Sequence, residues 1–370
     1  MKNVPELRFD GFDGEWEEKK LEDSFNVTMG QSPNSKNYTV DSDSLPLIGG
    51  NADIKQGKIN PSIFTTQVTK KSYPGNIIMT VRAPVGDLAM NSSEVVIGRG
   101  VCSIDGNNYL YYNLEKKKYE NYWRRFISGS TFESINSSDI KSVLISFPEN
   151  YEQEKIGDLF KKLDDLIEIQ EAKVSKMEDF KKFMLQKMFP KKGELVPEFR
   201  FDGFDNYGFD KGKINDFIVT HGSKNYIKQP ADVGTYKVIQ QGDIPIAGYS
   251  NEDPYKDFSN VILFGDHTLS LFKPYEPFLL STDGIKIIFI ENIDREYFYY
   301  LVQHAMPKSQ GYKRHYKILR SVKVNIPKSY KEQQKIGQFF KNLDTQIENE
   351  ERLLESYKMM KKSLLQKMFV

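Results

Sequence analysis

From Ile156 onward, apolar residues return every four and then three positions: Ile156, Phe160, Leu163, Ile167, Val174, Met177, Met184 and Met188. Gln170 and Lys181 stand where the pattern asks for two more. This spacing draws one stripe along a helix and reads as a heptad seam. Ile336, Phe340, Leu343, Ile347, Leu354, Tyr357, Leu364 and Met368 draw it again, and the same two slots are polar, here Glu350 and Lys361. The pattern predicts one long helix over 152–190 and another over 332–370, each spanning about 58 Å at ~1.5 Å per residue. Asn150-Tyr151-Glu152-Gln153 and Ser329-Tyr330-Lys331-Glu332 read as capping boxes at the two starts, and Pro190 and Gly193 stop the first helix. One seam alone asks only for some other helix. Two in one chain are most simply buried against each other, and an antiparallel pairing would set one preceding domain at each end, with pseudo-two-fold symmetry.

The helical segments are copies. EQEKIGDLFKKLDDLIEIQEAKVSKMEDFKKFMLQKMFP, from Glu152, aligns without a gap to EQQKIGQFFKNLDTQIENEERLLESYKMMKKSLLQKMFV, from Glu332, with about half the positions identical. A second repeat, VPELRFDGFDGEWEEKKLEDSF from Val4, returns as VPEFRFDGFDNYGFDKGKINDF from Val196. The chain is therefore one unit used twice. This predicts a first globular domain over 1–150 with its repeat motif at 4–25, a first spacer helix over 151–190, a second domain over 191–331 with its motif at 196–218, and a second spacer helix over 332–370.

The globular stretches share only patches, such as Ser35-Lys36-Asn37-Tyr38 and Ser223-Lys224-Asn225-Tyr226. Runs at Asn76–Val81, Val261–Phe264 and Ile285–Ile290, set off by Gly and Pro, read as strands. Leu110 to Ile127 and Arg295 to Ala305 read as helices. The expected fold class is mixed α/β: two α/β domains separated by an antiparallel pair of long coiled-coil helices, as an internal repeat. Copies that keep their helices while the parts between them drift suit two readers with different targets. A tandem enzyme would be expected to keep two matching sites.

Charge narrows the reading without deciding it. Lys plus Arg number 52 against 51 for Asp plus Glu, a net charge of +1, so any nucleic-acid face has to be local. Cys102 is the single cysteine, which excludes an internal disulfide and a thiolate zinc cluster and fits a reducing, cytoplasmic setting. MKNVPELRFDGFDGEW has no apolar signal-peptide core, and no run approaches the roughly 18 apolar residues of a membrane span, so no membrane partner is expected.

The two Glu-Gln-x-Lys-Ile-Gly helix starts, their Leu-Gln-Lys-Met-Phe ends, the Arg-Phe-Asp-Gly-Phe motifs at Arg8 and Arg200, and Pro74-Gly75-Asn76-Ile77-Ile78 with Arg82-Ala83-Pro84-Val85-Gly86-Asp87 resemble the DNA specificity (S) subunits of type I restriction-modification systems. The resemblance covers essentially the whole chain. It implies two target recognition domains, each reading one half of an asymmetric bipartite site in double-stranded DNA. It also implies that the long helices set the spacer and dock methyltransferase (M) subunits, and that the M-S complex recruits restriction (R) subunits. S-adenosylmethionine, ATP and magnesium would then belong to the partners, with no cofactor on this chain. The target bases are left open.

Chemistry within the chain is weakly signalled. Glu252-Asp253-Pro254-Tyr255 lacks the first-position amide and the second proline of an adenine methyltransferase loop and reads as a turn. Ile97-Gly98-Arg99-Gly100 lacks a third glycine and also reads as a turn. Asp283-Gly284-Ile285-Lys286 has no acidic residue two before the lysine and reads as a strand entry. His221, His267, His304 and His315 have no metal-ligand spacing. No catalytic residue and no metal site is expected, and the chain is read as a non-catalytic subunit. The alternatives are a DNA-modifying enzyme with a degenerate motif and a helical scaffold that gathers partners without touching DNA.

A charge run by itself is usually a solvated face, and the family architecture makes it a candidate contact. Gln310-Gly311-Tyr312-Lys313-Arg314-His315-Tyr316-Lys317 combines phosphate-neutralising charge with rings in a Gly-started loop, so Tyr312, Lys313, Arg314 and Lys317 are candidate DNA-binding residues. Lys70, Lys71, Arg82, Arg99, Arg124 and Arg125 are the candidates in the first half. Lys116-Lys117-Lys118 reads as an exposed helix edge. The helix-pairing seam is assigned to Ile156, Phe160, Leu163, Ile167, Val174 and Met177 with Ile336, Phe340, Leu343, Ile347, Leu354 and Tyr357.

Overall fold

The structure is a computed structural model that describes all residues except 1–2, 127–133, 192 and 312. It forms two compact units, residues 1–171 with 353–370, and residues 172–352. Both divisions fall inside the long helices, Asn150–Met188 and Tyr330–Met368. Each unit therefore holds one globular domain, the start of the helix that follows it, and the end of the other helix. The sequential division into domain and spacer helix does not describe this packing, because the core of each domain is closed by residues from the other copy.

Within the first unit the helices run antiparallel. Lys358 pairs with Glu171 at 2.6 Å, Lys361 with Asp164 at 2.6 Å, and the Phe369 ring centroid lies 5.5 Å from that of Phe160. The second unit shows the same run, with Lys173 to Glu350 at 2.7 Å, Lys181 to Asp344 at 2.5 Å, and Phe189 to Phe340 at 5.8 Å. Ile156, Phe160, Leu163, Val174, Ile336, Phe340, Leu343 and Ile347 are buried. Ile167, Met177, Leu354 and Tyr357 are half-buried, as suits seam positions covered by a neighbouring helix and not by a globular core.

Each domain has three layers. In the first unit an antiparallel sheet has the order Leu88–Met90, Ile77–Thr80, Val101–Ile104, Val27–Met29. Its residues alternate between two cores, as the two-residue period of a strand requires. Ile77, Met79, Cys102 and Ile104 face the helical side, while Ile78 and Val101 face a second sheet with Ile48, Val95 and Ile97. In the second unit the order is Leu271–Phe272, Val261–Gly265, Ile285–Ile290, Ile218–His221. Ile262, Phe264, Ile288 and Ile290 face the helices, and Val261, Leu263, Ile285 and Ile287 face the second sheet. Each second sheet is built on a parallel pair, Leu47 beside Val96 and Val238 beside Leu279. The expected strands thus lie at Ile77–Thr80, Val261–Gly265 and Ile285–Ile290.

The helix-start motif docks each domain. Glu152, fully buried, takes two hydrogen bonds from Arg8, Nε to Oε1 at 2.7 Å and an Nη to Oε2 at 2.8 Å. Arg200 grips Glu332 at the same two distances. Gln153 donates to the Pro148 carbonyl at 2.9 Å and Gln333 to that of Pro327 at 2.8 Å. Gly157 lies against the start of helix Asn108–Tyr119, where a Cβ would sit 2.8 Å from Asn108 Cβ. Gly337 meets helix Arg295–His304 in the same way, with a Cβ position 2.6 Å from the Tyr297 nitrogen.

The capping-box expectation is corrected here. Asn150 is already helical. Gln153, the fourth residue of the first box, turns to the Pro148 carbonyl; in the second box Ser329 Oγ accepts from the Glu332 N–H at 3.4 Å, while the Glu332 carboxylate turns to Arg200. The expected helix from Leu110 to Ile127 ends at Tyr119, followed by a tighter turn at Tyr122–Phe126, and Ile127 lies outside the described residues.

The repeated polar slots are paired. Lys361, nearly buried, contacts Asp164 at 2.6 Å and Glu115 at 2.8 Å, while Tyr112 donates to Asp164 at 2.8 Å. Burial works against the Lys361 charge, but Glu115 and Asp164 outweigh it and hold its pKa above the ordinary lysine value. Burial also pushes Glu115 above the usual carboxylate range. In the second unit Lys181 and Tyr300 meet on Asp344, and the place of Glu115 is taken by Gln303.

Two stability outcomes follow. Arg8→Ala leaves the Glu152 carboxylate buried without a counter-charge and should destabilise the first unit by about 3–5 kcal/mol. Arg8→Lys should restore only part of this, because it loses the two-point grip. Lys361→Ala strands two carboxylates and should cost about 3 kcal/mol or more, against about 1 kcal/mol for the more exposed Lys181→Ala. Denaturant unfolding of the full chain measures both, and equal effects for Lys361 and Lys181 would contradict the second.

Candidate nucleic-acid interface

At the end of each central sheet away from the turn into the docking helix, three segments meet. In the first unit, strand Val95–Ile97 turns through Gly98-Arg99-Gly100 into Val101–Ile104. The turn is clamped by Gly98 N–H to the Ile48 carbonyl at 2.8 Å and Gln31 N–H to that of Ile97 at 2.9 Å. Ser32 Oγ accepts from the Arg99 N–H at 3.1 Å. Space explains Gly100, since a Cβ there would lie 2.2 Å from the Gly49 carbonyl oxygen. Val81 N–H then bonds the Gly100 carbonyl at 2.9 Å, and Ile135 N–H bonds that of Val81 at 3.0 Å. Arg99, Arg82 and Ser134 thus stand on adjacent segments, and the first two are exposed. Exposed Lys70 joins this end through its carbonyl, which accepts from Ile97 N–H at 2.8 Å.

The second unit repeats the backbone pattern. Ser281 N–H bonds the Ile239 carbonyl at 2.8 Å, Asp266 N–H that of Gly284 at 2.8 Å, and His315 N–H that of Asp266 at 2.9 Å. Bond for bond, Gly98 matches Ser281, Gly100 matches Gly284, Val81 matches Asp266, and Ile135 matches His315. Arg82 therefore has His267 as its counterpart, and Ser134 has Arg314. The Gly98–Gly100 turn corresponds to Ser281–Gly284.

The candidate loop Gln310–Arg314 is anchored by its neighbours. His315 is buried, its Nδ1 lying 3.1 Å from the Asp266 carbonyl and its Nε2 accepting from the Gln310 N–H at 3.0 Å, a pair that one neutral tautomer satisfies. Buried Tyr316 has its N–H on Asp266 Oδ1 at 2.7 Å. His315 and Tyr316 are thus supports, and Lys313, Arg314 and Lys317 are exposed. Tyr312 lies outside the described residues.

The other candidates are less alike. Lys71 pairs with Glu94, which raises its pKa. Arg124 and Arg125 are exposed on the turn Tyr122–Phe126, where Trp123 packs against Gly86 and the Arg125 guanidinium lies 3.4 Å from the Tyr122 ring centroid. Lys116-Lys117-Lys118 is not simply an exposed edge. Lys116 donates to the Phe369 carbonyl at 3.2 Å, and Lys118 pairs with Asp87. Burial, assisted by Lys116, lowers the Lys117 pKa to about 8.

Sequence reasoning did not bring His267 and Asp283 to this corner of the second unit. Only the hydrogen-bond register across the sheets brings them to the same corner. Tyr255 of the Pro-Tyr string is a core residue whose hydroxyl lies 2.6 Å from His221 Nδ1. Lys286 Nζ donates to the Asp283 carbonyl at 2.8 Å, at a strand entry. Among the described residues no group of three or more His, Cys, Asp or Glu is arranged to hold a metal ion. Burial pushes the Cys102 thiol up to about 12. No described helix is long and apolar enough to cross a membrane.

Two copies of one helix-anchored α/β frame carrying unlike exposed corners define the class of architecture. The sequence profile of the type I restriction modification DNA specificity domain matches residues 13–179 and 206–358, so the chain belongs to that family. It is 33% identical over 174 residues to a putative type I restriction enzyme MjaX specificity subunit from Methanocaldococcus jannaschii, covering 45% of this chain and 41% of that protein. The type I restriction enzyme MjaIX specificity subunit of the same organism is 30% identical over 168 residues, 42% of this chain and 39% of that protein. The chain thus spans less than half the length of these relatives in alignment. The fold is like that of a type I restriction-modification S subunit from M. genitalium, with TM-score 0.70 over 99% of both chains at 17% identity. A second likeness is to a chain from a structure of type I R-M complex assembly and conformational transition, with TM-score 0.56, 15% identity, and 96% and 97% of the two chains covered.

Proposed function

We propose that the chain is a non-catalytic DNA-recognition subunit that acts in the cytoplasm and places a methyltransferase, and through it a restriction subunit, on an asymmetric bipartite sequence. Each globular domain reads one half-site. The long helices set the spacer and dock the methyltransferase, and S-adenosylmethionine, ATP and magnesium are bound by the partners. The observation that carries this reading is the contrast between frame and corner. Arg8–Glu152 and Arg200–Glu332 repeat to the hydrogen bond, whereas the exposed corners differ in charge and hydrogen-bonding groups. Lys and Arg on phosphates would fix the register, while side chains on base edges would select sequence. Sequencing methylated adenines in cells that carry the chain and its partners tests the reading. A complex that methylates without sequence preference would leave the scaffold alternative standing.

Replacing Lys313 and Arg314 together with Ala should weaken binding to the half-site read by the second domain by roughly 1–3 kcal/mol if either grips a base at two points. Selection of the other half-site should be unchanged, and competition binding with half-site variants measures both. For the spacer, one heptad inserted near Gln170 together with one near Glu350 keeps the seam in register and adds about 10 Å, or roughly 3 bp. The half-sequences should persist while the spacer lengthens. An unchanged spacer in the active complex would rule out the helices as its measure.

A further inference from the structure

We propose that Arg99 and Asp283 are specificity-determining residues at matching places in the two domains, Arg99 selecting a guanine in one half-site and Asp283 a cytosine in the other. The proposal rests on the DNA-recognition reading and assigns its chemistry to two turns. Hydrogen-bond register makes the turns equivalent. Gly98 and Ser281 each donate at 2.8 Å to the carbonyl of the parallel neighbour strand, and the Gly100 and Gly284 carbonyls each accept from the strand-end residue, Val81 or Asp266, at 2.9 and 2.8 Å.

Both turns hold their tips rigidly. Arg99 precedes Gly100, where a Cβ would run into the Gly49 backbone, follows Gly98, whose N–H is held by the Ile48 carbonyl, and has its own N–H held by Ser32. Asp283 has its carbonyl tied to Lys286 Nζ, Thr282 Oγ1 accepts from Gly284 N–H at 3.2 Å, and the same hydroxyl donates to Asp283 Oδ1 at 3.4 Å, which orients the carboxylate at the tip. Gly284 packs against the Gln241 side chain, with its carbonyl held by the Asp266 N–H. Both tips are exposed. A guanidinium fixed at such a point can take guanine O6 and N7 together. An exposed carboxylate is repelled by phosphates, and the partner that suits it on DNA is an amino group on a base edge, which in the major groove is best matched by cytosine N4. Arg82 flanks the Arg99 turn directly, whereas His267 flanks the Asp283 turn and Arg314 and Lys313 follow on the next segment; these arginine and lysine side chains are exposed cations suited to DNA.

The test is selection from a pool of randomised duplex DNA by the full chain assembled with its methyltransferase partner, followed by sequencing. Wild type should yield two half-sites, with guanine fixed at one position of the first and cytosine at one position of the second. Arg99→Ala should lower the guanine preference at least about fivefold, and Arg99→Lys should keep affinity while losing much of the preference. Asp283→Arg should turn the cytosine position toward guanine. In each variant the half-site read by the other domain is the internal control for folding. If wild type selects two half-sites and the Asp283 and Arg99 variants select the same bases, or lose affinity equally for every sequence, this proposal is overturned while the DNA-recognition reading stands. If wild type selects no sequence, that reading fails, and this one with it.

Discussion

A carboxylate with essentially none of its surface in water has to meet its counter-charge in a fixed geometry, and the position of each domain follows from that demand. Glu152 and Glu332 sit in the first turns of the long helices and are satisfied by arginines 144 and 132 residues earlier in the chain. Desolvating such a pair is expensive, and leaving either partner alone more so. The arrangement tolerates little else: the domain must bring its N-terminal motif to the helix start, Gly157 or Gly337 must stay bare for the close approach, and Gln153 or Gln333 must reach the proline carbonyl before the helix. The six-residue motif at each helix start is a docking surface written in one turn and a half of helix.

What lies at the far end of the central strands is under different rules. The turns at Gly98–Gly100 and Ser281–Gly284 are constrained in backbone and free in side chain. The two copies have therefore diverged at their tips without disturbing the sheets beneath, whose residues alternate between the same two cores in both units. The polar pairs on the helices show an intermediate case. Lys361 and Lys181 keep the same aspartate and tyrosine, while Glu115 against Gln303 changes how much negative charge the lysine must balance.

The helices were legible to within two residues at each start because a heptad seam carries its period in the sequence. The central strands were legible because two-sided burial leaves apolar runs such as Ile77–Thr80. The capping boxes were only half legible: Gln153 turns to the Pro148 carbonyl, and Ser329 does accept from the Glu332 N–H, but a distant arginine takes the Glu332 carboxylate by charge and two-point geometry. Lys116 to Lys118 looked like a solvated edge because nothing local reveals Phe369 beside Lys116 or Asp87 beside Lys118. The pairing of Arg99 with Asp283 was out of reach, since no residue identity links the turns. Their equivalence exists only in which backbone amide meets which carbonyl.

Because each domain core is closed by the tail of the opposite copy, the order of completion runs against the order of synthesis. Residues 172–352 contain all that the second unit needs, including Met188 and Phe189, by the time Arg352 is made. The first domain, though translated earlier, lacks Leu365, Met368 and Phe369 until the chain reaches them, and Phe369 meets the rings of Tyr109 and Phe160 more than two hundred residues behind it. Closing so long a loop is slow compared with local packing. The core of the first domain thus waits for residues 365–369 to leave the ribosome, and its apolar face stays open for the time taken to translate the whole second half.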